Sequence, residues 1–196
     1  NVTLYNCLSI GNRVKGFDQN SDAGSIQIYN CTSYLNGSNY GFYNNNGYSL
    51  VIKNCISFPN NISNTFSGSK ITSSNNTWLT GYTCSASDYI SLDTTLVLTP
   101  RNSDGSLQVT DLLRLKKGCT LIDKGMIVDG VDYYGAAPDL GCFETNYTST
   151  AIYDIITSTD AIMGRVNIYD ESGRLIKMSV DGDNALEDLP HGLYII

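Results

Sequence analysis

Within one short stretch, Arg13, Lys15, Asp18, Gln19 and Asn20 bring together two cations, a carboxylate and two amides. Lysine and arginine pair with carboxylates, and amides both donate and accept. The set therefore suits a ligand rich in acid and hydroxyl groups. It does not make a calcium site. That ion takes about six to eight oxygens, and Asp18 and Asp22 with Gln19 and Asn20 fall short. Nor does Lys15 read as a general base, since a lysine must lose its proton before it can take one. The plain alternative is a surface turn with Phe17 buried and its polar neighbours solvated. Asp129 and Asp132, in VDGVDYYG, likewise read as a loop.

Other chemistry is soon bounded. The single histidine, His191, stands in a Pro-His-Gly turn, so an HExxH metal site is excluded. Cysteines at 7, 31, 55, 84, 119 and 142 form no CxxC pair, which argues against a zinc ribbon. No calcium or other metal ligand is assigned in this chain. A net charge of −7 without a basic cluster argues against nucleic acid. No apolar run approaches the roughly 18 residues of a membrane span. A monomer is expected.

What must position these residues is a repeat. VTLYNCLSIGN at 2–12 returns as IQIYNCTSYLN at 26–36 and as LVIKNCISFPN at 50–60, a spacing of 24. Asn6, Asn30 and Asn54 share a column, as do Cys7, Cys31 and Cys55, and Asn12, Asn36 and Asn60. KGFDQN, YGFYNNN and NTFSGS follow in turn and align Phe17, Phe42 and Phe66. Such a period means a solenoid. Apolar residues alternate within each segment, as in strands. The fold expected is all-β, a parallel β-helix with coils stacked at roughly 4.8 Å. The Asn column suits a left-handed turn, with amides bonded up the ladder. The Cys column reads as small buried thiols.

The period blurs after residue 70. KITSSNNTWLTG at 70–81 reads as a degenerate fourth coil. The segments 107–125 and 135–144 read as a closing coil and cap over the solenoid end. Residues 150–196 hold short strands, AIYDII, MGRVNIYD, RLIKMSV and GLYII, with DESG as a hairpin turn. Two domains are expected: 1–148 for the coils and cap, and 149–196 for a small β module.

The stretch VKGFDQNSDAGSIQIYNCTSYLNG at 14–37 resembles the pectate lyases of polysaccharide lyase family 9, and LLRLKKGCTLIDKG with APDLGCFE is similar to their closing region. The resemblance implies a right-handed β-helix and calcium-assisted β-elimination on polygalacturonate or pectin. It places the base lysine and the calcium aspartates on coils before the GFDQN coil, upstream of Asn1. No catalytic residue is therefore assigned here, and the fragment itself is expected to be inactive. Arg13, Lys15, Asp18, Gln19 and Asn20 are expected to bind substrate by lining its groove. The tail is similar to C-terminal sorting modules, which implies a secreted or cell-surface protein of a Gram-negative bacterium.

Two other functions fit the same pattern. One is a non-catalytic solenoid or adhesin that binds acidic polysaccharide through Tyr5, Tyr29, Tyr34, Tyr40, Tyr43 and Tyr48. The other is a uronate epimerase or hydrolase, although a hydrolase would want paired carboxylates and none stands out in the repeat.

Overall fold

The computed structural model describes residues 1–20, 24–44, 47–68, 70–147, 165–170, 175–181 and 194–195. Asp22, the AIYDII segment, the DESG turn beyond Asp170 and His191 lie outside the described residues. The chain divides into two units, Asn1–Thr145 and Asn146–Ile196.

The first unit is a parallel β-helix. Strands β1 (Val2–Tyr5), β2 (Leu8–Ile10) and β3 (Lys15–Asp18) make the first rung, β4 (Ile26–Tyr29), β5 (Thr32–Tyr34) and β6 (Ser38–Asn44) the second, and β7 (Leu50–Lys53), β8 (Ile56–Phe58) and β9 (Asn64–Gly68) the third. A fourth rung begins with β10 (Ile71–Ser74). Like strands stack into three parallel sheets, β1-β4-β7-β10, β2-β5-β8 and β3-β6-β9. In the first sheet the register pairs Val2 with Ile26 and Ile26 with Leu50, as the 24-residue period requires. The fourth rung stands only 21 residues on, with Ile71 paired to Leu50.

Turn chemistry fixes this register. Asn6, Asn30, Asn54 and Asn75 all have φ between 49° and 58°, a left-handed conformation that asparagine tolerates better than most residues. The Asn54 amide donates to Asn30 Oδ1 at 3.0 Å. Within the coil, Ile28, Cys31, Tyr40, Phe42, Ile52 and Cys55 form a buried core that Leu4, Phe17, Phe66 and Trp78 join at its margins. Burying one such aliphatic side chain contributes roughly 1.5–3 kcal/mol. All six cysteines are free thiols. The Cys7 amide donates to Cys31 Sγ at 3.4 Å. On the fourth rung Asn76 takes over the column and accepts from the Cys55 amide at 2.8 Å.

Four expectations need correction. Phe17 pairs with Tyr40, whereas Phe42 pairs with Phe66, so Phe17 stands two residues off the phenylalanine column, on Tyr40 instead of Phe42. The alternative of a surface turn fails at Lys15–Asp18, which is strand β3, and holds only at Asn20 beyond it. Asn60 leaves its column and donates from its amide to the Cys84 carbonyl, while Asn12 and Asn36 remain bonded at 2.9 Å. The segments 107–125 and 135–144 do not cap the stack. Trp78 packs at its end, 5.1 Å from Tyr40 and 5.3 Å from Phe66 between ring centroids. Residues 82–145 instead form a strap along the side of the coils.

That strap covers the outer face of the second sheet. Tyr34, Ile56 and Phe58 pack there against Cys84, Tyr89, Leu112, Leu115, Leu121 and Leu140. The asparagine ladder holds it. Asn75 donates to the Lys124 carbonyl, Asn54 to the Met126 carbonyl and Asn30 to the Asp139 carbonyl, at 2.7–2.9 Å. Met126 returns its amide to Asn54 Oδ1 at 2.8 Å. The strap thus runs back along the rod toward the first rung.

In the second unit, strands β11 (Arg165–Asp170), β12 (Leu175–Asp181) and β13 (Tyr194–Ile195) form an antiparallel sheet of order β12-β11-β13.

Candidate functional site

The third sheet positions the polar residues of the first rung. Phe17 turns inward and stacks on Tyr40 with centroids 5.2 Å apart, leaving the outer face to Lys15 and Asp18. Asp18 pairs with Gly41 on the rung beneath. That glycine matters, because a Cβ there would stand 2.8 Å from Lys15 Cδ. The lysine stem lies over the bare backbone and delivers its ammonium to two partners. Lys15 Nζ is 2.9 Å from Asp18 Oδ1 and 4.8 Å from the centroid of the Tyr43 ring. Gln19 bridges the rungs: its amide N–H donates to the Gly41 carbonyl at 3.1 Å, and its Oε1 accepts from the Tyr43 N–H at 2.9 Å. Asn20 lies in the turn two residues beyond β3, with φ 46°.

Lys15, Asp18, Gln19, Asn20 and Tyr43 line one surface cleft of about 240 Å³. The structure therefore brings four of the five sequence-predicted residues together. Arg13 is not among them. It stands exposed in the turn after β2, where its carbonyl abuts Gly37. Gly41 and Tyr43 were missing from the predicted set. Their signal was the aligned block YGFYNNN, which must lie under KGFDQN in a stacked coil.

The electrostatics run against acid–base work by Lys15. Its hydrogen bond to Asp18 pushes the ammonium above the ordinary lysine range, against a smaller opposing effect of desolvation. A base would need the opposite shift. The acid with the largest shift lies elsewhere. Burial raises Glu144 to about 7, and its oxygens accept from the Tyr134 and Asp139 amides. Asp139, also raised by burial, accepts from Asp123 N and from both Thr145 N and Oγ1. Asp123 accepts from Ala136 N and Ala137 N. These three carboxylates tie down the strap rather than face a ligand.

Two other hollows differ in kind. One of about 390 Å³ opens the coil interior at the first rung; Val2, Leu4, Phe17, Ile26, Ile28 and Phe42 make it largely apolar, with Asp18 and Gln19 of the cleft at its edge. A larger one of about 460 Å³ lies in the strap around Leu96, Pro100 and Val109, with Asp111 its one ionisable group among the described residues. Neither assembles groups for catalysis. Calcium does not fit the residues present. Among the described residues no three His, Cys, Asp or Glu cluster for a metal, and the Asp18 carboxylate is committed to Lys15. Asp129 and Asp132 stand in a loop, as expected. The tyrosines expected as sugar platforms divide. Tyr34 and Tyr40 are buried, and Tyr5 and Tyr29 stack on each other at 5.4 Å.

No protein-family model matches the chain. Over 146 residues, 74% of the chain, it is 41% identical to pectate lyase L of Dickeya dadantii (strain 3937). Over 150 residues it is 40% identical to pectate lyase L of Dickeya chrysanthemi. The coils also match the crystal structure of pectate lyase Pel9A, with a TM-score of 0.66 and 41% identity over 74% of this chain and 36% of that one. The chain is a pectate lyase homologue. A rhamnogalacturonan lyase is more distant, with a TM-score of 0.52 and 25% identity over 59% of this chain and 30% of that one. The chain spans about a third of the length of the curated pectate lyases it matches. Its parallel β-helix is the fold expected from the repeat, and the resemblance seen in GFDQN holds. No helix among the described residues is long and apolar enough to cross a membrane.

Proposed function

We propose that this chain is the C-terminal part of a secreted, pectate lyase-like polysaccharide lyase that cleaves polygalacturonate by calcium-assisted β-elimination. The single observation that carries the reading is the cleft. Lys15, Asp18, Gln19, Asn20 and Tyr43, on coils homologous to pectate lyases, line a polar surface across two rungs. A polymer lying along stacked rungs would meet it. The cleft serves there as a substrate subsite, and these coils do not hold the base. Lys15 is locked as a cation by Asp18. Base and calcium would lie on further coils, as the resemblance to the pectate lyases implies. The 149–196 module would serve export from a Gram-negative cell, and the enzyme would act as a monomer.

Of the tyrosines that an adhesin would use, Tyr34 and Tyr40 are buried and Tyr5 stacks on Tyr29, which leaves Tyr43 and Tyr48 as exposed rings. The test is to incubate polygalacturonate with the full-length protein and with the 196-residue chain. Ultraviolet-absorbing unsaturated uronides should form with the former, stop on adding a chelator, and be absent with the latter. A full-length protein that yields none of this product would not be a lyase.

A further inference from the structure

The charge on the cleft says which sugar unit it takes. An acidic polymer calls for uncommitted cations. Among the described residues Lys15 is the one cation of the cleft, and its ammonium already holds the Asp18 carboxylate at 2.9 Å. Residues 21–23 and 45–46, which flank these residues in sequence, add no lysine, arginine or histidine. Arg13 stands outside. The remaining lining is Gln19, Asn20 and Tyr43, neutral amides and a ring that is 47% exposed. A carboxylate brought to Lys15 meets Asp18 at nearly the same distance, so attraction and repulsion almost cancel. Amides and an aromatic face instead suit an ester carbonyl, hydroxyls and apolar C–H groups.

We propose that this cleft is a subsite for an uncharged unit of the polymer, a methyl-esterified galacturonate, with Asp18 acting as the group that cancels the attraction Lys15 would otherwise give the free acid. The inference rests on the subsite reading above. The lysine pair selects by withholding from the free acid the attraction that an uncommitted lysine would give it, while the amides and the ring still meet the ester. Gly41 is part of the device, since its bare backbone lets the Lys15 stem lie within reach of Asp18.

The test measures binding of the full 196-residue chain to an unesterified oligogalacturonide and to the same oligomer fully methyl-esterified, at low and high salt. Lys15 and Asp18 are surface side chains, so the variants should fold. The wild type should bind the ester more tightly, with little salt dependence. Asp18→Asn should tighten binding of the free acid by about fourfold at low salt, an advantage that salt removes. Tyr43→Ala should weaken both ligands. A wild type that prefers the free acid, with salt-sensitive binding lost in Lys15→Met, would overturn the inference and leave the cleft a subsite for charged uronate. No binding of either oligomer, with all variants alike, would overturn the subsite reading itself.

Discussion

Two cores are built from one chain, and they differ in how they are specified. The interior of the coils is a set of columns, where each residue rests on its counterpart one rung away, Ile28 on Ile52 and Cys31 on Cys55. The outer core beneath the strap has no columns. Tyr89, Leu112, Leu121 and Leu140 pack in one cluster with Tyr34, Ile56 and Phe58 of the second sheet and have no counterparts of the same type at the 24-residue spacing. The interior is repetition enforced by hydrogen-bond register. The strap is a long-range closure, and the asparagine amides that fix the turns also hold it.

The largest expected effect separates these cores. Ile52→Ala opens a void touching the rungs on both sides and should remove about 4 kcal/mol from the whole unit. Leu121→Ala should destabilise by about 3 kcal/mol, releasing the strap while the parallel sheets keep their circular-dichroism signal. Equal loss of sheet signal in both variants would merge the two cores into one. Next is Asn54→Ala, which strains a φ of 58° and strips the Asn30 and Met126 bonds, for about 3 kcal/mol in all. Asn54→Gly should recover only the backbone part.

The smallest effect is the pH dependence of the strap. Burial holds the Glu144 carboxyl at about 7 against an ordinary 4.5. Between those values the folded chain keeps a proton that the unfolded chain releases. The contribution is therefore complete below about 4.5 and lost as pH rises through about 7. Burial of Asp139 acts in the same sense. Melting temperature should fall from pH 5 to pH 8, and Glu144→Gln should flatten the slope. A wild-type slope of the opposite sign would contradict this assignment.

The columns were legible because a parallel stack writes its register into the sequence: Asn6, Asn30 and Asn54 must share a backbone conformation, and so they share a residue type. The slip at Phe17 was hidden, since a shift of two residues keeps the side chain on the same face and still pairs an aromatic with an aromatic, Tyr40. The strap was misread as a cap because its contacts are single and distant, Asn30 with Asp139 across 109 residues, and no spacing records them. The site was half legible. Lys15, Asp18, Gln19 and Asn20 lie within one strand and its end, so their grouping was local. Tyr43 and Gly41 enter only through stacking, and Arg13 leaves because the turn after β2 carries it aside.

The most direct test of the two-core account is native-state hydrogen exchange on Asn54→Ala. The account predicts faster exchange at the strap amides of Gly125, Leu140 and Gly141, whose acceptors are Pro138, Leu121 and Asn54. The ladder amides of Ile26 and Asn30, bonded to Ser49 and Lys53, should keep their protection. Simultaneous loss of protection in strap and ladder would contradict it.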